Sequence, residues 1–167
     1  TTPALQSLGR FTNVFRPVSP GPADGRIAFI VGGMLQQHHY LRQKFNDTVS
    51  SKFLDRYLET LDPQHLHFLQ SDLAEFEHYR TELDDLTLTP RNNADTKPAF
   101  QIFNRYMERF QQRVAYADEL LKNEHFDFTG DDRITINRRE SPYPKDLAEA
   151  KGLWRERLRF EYLQEKL

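Results

Sequence analysis

Apolar positions recur along this chain at the spacing of helices. Val49, Phe53, Leu54, Tyr57, Leu58 and Leu61 share one face of a helical wheel, while Lys52, Asp55, Arg56 and Glu59 populate the other. Asp62-Pro63 ends that helix, because the residue before a proline is pushed out of the helical region. Leu66, Phe68 and Leu69 are expected to pack within the turn that follows. Ser71-Asp72 then offers a side-chain cap for a second helix with the stripe Leu73, Phe76, Tyr79 (or Arg80) and Leu83.

Upstream, Ile27, Ile30, Val31, Met34, Leu35 and His38 give another amphipathic helix, which begins near Asp24. Gly32-Gly33 inside it would each cost about 1 kcal/mol against alanine, so close packing against a neighbour is expected there. Residues 1–25 hold four prolines and three glycines and read as an extended lead-in, with Phe11, Val14 and Phe15 as the side chains able to dock. Downstream of a polar loop around Pro90, the residues Phe100, Phe103, Met107, Phe110, Val114, Ala117 and Leu121 alternate steps of three and four. A helix over Thr96–Lys122 would be roughly 40 Å long. Its stripe is expected to be bundle core, with a coiled-coil seam as the alternative.

Phe126-Asp-Phe128 and Ile134-Thr-Ile136 alternate with period two about Thr-Gly-Asp-Asp, which predicts a small β-hairpin. Asp146 with Glu149 makes a capping-box pattern that opens a last helix. That helix is apolar on two sides. Leu147, Ala150, Trp154, Leu158 and, less centrally, Tyr162 lie on one, and Leu153, Phe160, Leu163 and Leu167 on the other. The predicted fold is therefore mainly α, an irregular or orthogonal bundle of five or six helices with one small hairpin.

Composition narrows the function classes. A length of 167 residues suits one domain, residues 26–167 after the lead-in. The net charge of −2 hides an acidic middle: residues 46–95 carry four basic and eleven acidic side chains. That sign repels a polyanion, and no basic stripe interleaves with aromatics, so nucleic acid is not an expected partner. No apolar run reaches the roughly 20 residues that span a bilayer. Zero cysteines exclude disulfides and thiolate metal sites.

Candidate chemistry is sparse. His38-His39 are adjacent and His65 and His67 sit two apart, neither being a helical metal-ligand spacing, and His78 with Glu75 or Glu82 is a spacing shared by many solvated pairs. Ser50-Ser51-Lys52 places hydroxyls beside a lysine, but on a helix their side chains diverge, so a surface helix is the expectation. Asp84-Asp85 and Asp131-Asp132 fall at a helix end and a turn. No phosphate loop, dinucleotide fingerprint or nucleophile elbow occurs. Neither a catalytic residue, a cofactor nor a metal is expected.

The block FLDRYLETLDPQHLHFLQSDLAEFE, with HHYLRQKFNDTVSSKF before it and LWRERLRFEYLQEKL at the end, resembles the N-terminal helical domain of tail-specific proteases, the C-terminal-processing serine peptidases. A [FY]LDxLDPxxxYFLxxD-like pattern marks that family; His67 departs from it where tyrosine is frequent. The resemblance implies a periplasmic setting and a non-catalytic role. The PDZ domain and Ser–Lys catalytic core of such proteases would lie outside residues 1–167 and become partners in the same polypeptide, with a protein substrate or an adaptor as further contacts. On that reading Phe160, Leu163 and Leu167 are candidate interdomain contacts. The alternative is a free-standing helical protein-binding module; a His/Glu metalloenzyme is a distant third.

Overall fold

A computed structural model describes residues 15–38, 43–131 and 133–167. The elements in order are α1 (Asp24–His38), α2 (Asp47–Leu61), α3 (Gln70–Phe76), a 3₁₀ segment (Glu77–Thr81), α4 (Leu83–Thr87), α5 (Lys97–Asn123) and α6 (Leu147–Lys166). The architecture is mainly helical. Asn46 caps α2 by accepting from the Val49 amide, and Asp146 caps α6 by accepting from Glu149. Glu149 answers by accepting from the amide of Lys145 rather than of Asp146, a near variant of the expected box.

The main core forms where α2, the turn after it, α3 and the first half of α5 meet. Leu54, Leu58, Phe68, Phe76, Tyr79 and Ile102 are buried together there. A second cluster joins Leu69 to Ala150 and Trp154, with Tyr116 and Leu147 packed against it, and holds α6 to α5. Leu66, Phe68 and Leu69 are all buried, as their apolar character predicts.

Three expectations need correction. The stretch 124–146 forms no strand among the described residues, so the predicted hairpin is not supported. Its alternating aromatics instead pack on α6, where Phe126 and Phe128 flank Tyr162. The carbonyls of Asp127 and Ile136 accept from Arg159 and Arg157 of that helix, so α6 takes backbone groups that a strand partner would have taken. In α2, Phe53 points outward, 59% exposed beside a Leu54 that is 1% exposed. In α5 the buried positions are Pro98, Ile102 and Leu120, whereas Phe110, Val114 and Leu121 of the expected core stripe are exposed.

α1 inverts its pattern in the same way. Ile27, Ile30, Val31, Met34 and Leu35 are exposed, and the buried residue is Gly25. A Cβ on Gly25 would lie 2.5 Å from the Ala94 carbonyl oxygen, so only glycine admits this approach. A Cβ on Gly32 would meet Thr87 at 2.9 Å, while Gly33 has open space. Close packing thus holds at one of the two central glycines. In the lead-in, Phe15 packs edge-on against Phe103; Phe11 and Val14 lie outside the described residues.

Candidate functional site

A buried polar cluster lies in and under the turn 62–72, where Asp62, His67 and Asp72 are all buried. Asp62 stops α2, and His65 then adopts the left-handed region with φ 51°, which turns the chain back over its own end. Four consecutive amides of this buried turn would otherwise have no partner. Asp62 accepts from Leu66 at 2.9 Å, from His67 at 2.8 Å and from Phe68 at 3.0 Å, and Asp72 accepts from Leu69 at 2.9 Å. Two carboxylates therefore stand in for a missing secondary-structure partner.

Each carboxylate is itself answered by a base. The His67 ring meets Asp62 through Nδ1 at 3.2 Å and Arg113 through Nε2 at 3.3 Å; a guanidinium can only donate and a carboxylate only accept, so Nε2 accepts and Nδ1 donates. Asp72, fully buried, is gripped by the fork of Arg109 at 2.8 Å through both Nε and Nη2, and by Arg105 at 2.5 Å. Arg105 continues outward to Glu75 at 2.9 Å and Glu108 at 3.3 Å. Burial alone would raise the Asp62 carboxyl, but the bonds from the His67 ring and the Leu66 and His67 amides outweigh it and hold it below the ordinary value. Burial likewise raises Asp72, and Arg109, the Leu69 amide and Arg105 together pull it below.

The turn is clamped from outside as well. Trp154 Nε1 donates to the Leu66 carbonyl at 2.5 Å, His65 Nδ1 donates to the Ser141 carbonyl at 2.6 Å, and the Gln70 amide donates to the Pro144 carbonyl at 2.9 Å. The His65 ring stacks on Tyr143 with centroids 3.9 Å apart.

Chemically this arrangement is closed. An Asp–His pair orients a general base in many enzymes, yet here the second ring nitrogen is already occupied by a guanidinium, and among the described residues no hydroxyl is bonded to it. Ser50, expected on a surface helix, is buried and donates to Asp84 at 2.8 Å while accepting from the Asp84 amide at 2.9 Å. Ser51 accepts from Arg80, and Lys52 is exposed. Among the described residues no three His, Asp or Glu side chains converge as metal ligands. His78 bonds the Glu75 carbonyl at 2.9 Å on the surface, and His39 and Asp132 fall outside the described residues.

The candidate interdomain residues lie at the far end of α6. Trp154 is buried, Phe160 and Leu163 are half-buried, and Leu167 is exposed. Phe160 lies beneath the Arg157 guanidinium at 6.0 Å. Leu153, on the same side of the helix, is half-buried and lines a small cavity together with Ile134, Ile136 and Arg138.

Sequence reasoning located the turn but read Asp62 as a helix stop and Asp72 as a helix cap. Arg105, Arg109 and Arg113 were missed. A signal was available: three arginines at i, i+4 and i+8 make a basic ridge on one face of α5, beside an apolar stripe, and such a ridge calls for buried acceptors.

The chain matches known proteins over most of its length. The family model described as the tail specific protease N-terminal domain matches residues 31–167. The tail-specific protease of Haemophilus influenzae (strain ATCC 51907 / DSM 11121 / KW20 / Rd) is 38% identical over 134 residues, which is 80% of this chain and 19% of that protein. The chain thus spans about a fifth of the length of that relative.

Proposed function

Because the chain belongs to the tail-specific protease N-terminal domain family, we propose that it is the non-catalytic scaffold domain of a periplasmic C-terminal-processing serine protease. It positions the PDZ and protease parts of the same polypeptide and offers a surface to a protein substrate or an adaptor. The observation that carries this reading is the match over residues 31–167 of a domain whose buried Ser50, Asp62, His67 and Asp72 are all committed to internal hydrogen bonds. A domain so built holds shape and lacks a poised nucleophile. The relative's further four-fifths of sequence supports the presence of other domains in the parent.

Phe160, Leu163 and Leu167 are the contact we assign to those domains, since the Trp154 side of α6 is already engaged by the bundle. Two measurements test the reading. The chain alone, incubated with an unstructured protein bearing an apolar C-terminus, leaves that protein intact; cleavage that survives repurification and disappears in Ser50→Ala would overturn the non-catalytic role. In the full-length protease, Leu163→Asp lowers cleavage without shifting the melt of the isolated domain, and unchanged cleavage would remove that contact.

A further inference from the structure

We propose that the outward seam of α5, from Met107 to Leu121, is the docking site for an amphipathic helix supplied by the part of the protease polypeptide outside residues 1–167. The inference rests on the domain reading above and adds the surface and the kind of element that covers it.

The seam is built for a helix. Phe100, Phe103, Met107, Phe110, Val114, Ala117 and Leu121 follow steps of three and four without a break, the 3.5-residue repeat that keeps one helix facing another at about a 20° crossing. Among the described residues no helix packs along this repeat. α5 meets the signature turn and α6 through Ile102, Arg109, Arg113, Tyr116 and Leu120, a face rotated by about one residue, or 100°, from the seam. Phe110, Val114 and Leu121 are left 40%, 44% and 50% exposed.

Among the described residues the head of the seam is covered, and further along the His67 and Tyr106 rings edge Phe110 at 5.9 and 6.4 Å. Phe15 sits on Phe103, and Asn104 exchanges two hydrogen bonds with the backbone of Val18, at 2.9 and 2.8 Å. From Met107 to Leu121 the remaining strip is about 21 Å long. Its bordering residue Gln111 is uncharged, and Asp118 is neutralised by Lys122, so an apolar helix could approach without burying an unpaired charge.

A tethered helix is favoured over a second copy of the domain. The relative carries four-fifths of its length outside the matched region, ample to supply one. A segment of the same polypeptide meets the seam at an effective concentration in the millimolar range, well above that of a free protein at ordinary dilution.

The chain contains no cysteine, so single thiols report on the seam directly. Val114→Cys and Leu121→Cys are placed in the 167-residue chain and in the full-length protease, with any cysteine elsewhere replaced by serine, and Glu119→Cys on the exposed side serves as control. The expected result is rapid labelling of both seam thiols in the chain, several-fold slower labelling in the full-length protein, and equal labelling of the control in both. Equal labelling of the seam thiols in both proteins would overturn the proposal. A dimeric 167-residue chain whose seam thiols are protected would also overturn it, in favour of a second copy. A gene that stops after codon 167 would overturn the domain reading itself, an outcome distinct from either.

Discussion

The stretch Ser50–Phe76 and the outer sides of α1 and α5 are all regularly patterned, yet they meet opposite fates. In the first, Leu54, Leu58, Phe68 and Phe76 are buried, and all four of the buried polar side chains among the described residues, Ser50, Asp62, His67 and Asp72, lie there too. In the second, Ile27, Ile30, Met34, Phe110 and Val114 face outward although their spacing is as regular. Apolar periodicity decides that a helix can form with one sticky side. Which side is buried depends on what the rest of the chain presents to it. Here the partner presents carboxylates and close backbone, so α5 docks through arginines and α1 through glycine.

The largest test of that contrast is Asp72→Ala. It leaves Arg105 and Arg109 without their buried anion and the Leu69 amide without an acceptor, and should cost roughly 3–5 kcal/mol in chemical denaturation. A loss below about 1 kcal/mol would mean the aspartate is dispensable to the turn. Next, Leu54→Ala should cost roughly 2–5 kcal/mol while its neighbour Phe53→Ala costs under about 1 kcal/mol. The reverse order in thermal melts would place the core on the wrong face of α2.

Acid sharpens the comparison further. The folded carboxyls of Asp62 and Asp72 are depressed, so the stability they contribute is complete above the ordinary aspartate value of about 4 and is lost as pH falls through their lower folded values. The melting temperature should therefore drop steeply below about pH 4, and Asp72→Asn should flatten that limb, because asparagine has no proton to gain. The smallest expected effect belongs to α1: Ile30→Gln should leave the melting temperature of the isolated chain unchanged within about 0.5 kcal/mol equivalent. A clear loss there would show that the stripe is engaged within the chain.

Much of the architecture was legible in the residues. The end of α2 and the starts of α5 and α6 follow from Asp62-Pro63, from Pro98 in a first turn, and from Asp146 with Glu149, all local signals acting within one turn of the helix, whereas the Asn46 cap of α2 was not read from the residues. The signature block carried the family. The period-two alternation at 126–136 misled, because spacing describes which side chains share a face and is silent on whether a second strand or the arginines of a helix take the intervening carbonyls.

The sequence by itself determined the mainly helical class, the Asp146 cap of α6 and the family, since local spacing, capping residues and a signature block are all carried by neighbouring positions, whereas the single helix expected after Ser71-Asp72 is broken into α3, a 3₁₀ segment and α4. Only the tertiary structure decided that Asp62 and Asp72 serve four amides of one turn, that Arg105 and Arg109 reach Asp72 and Arg113 reaches His67 from more than thirty residues away, and that the seam of α5 points outward. The physical reason is that a buried charge and an unpaired amide each require a partner, and sequence spacing along one helix cannot say which distant element supplies it.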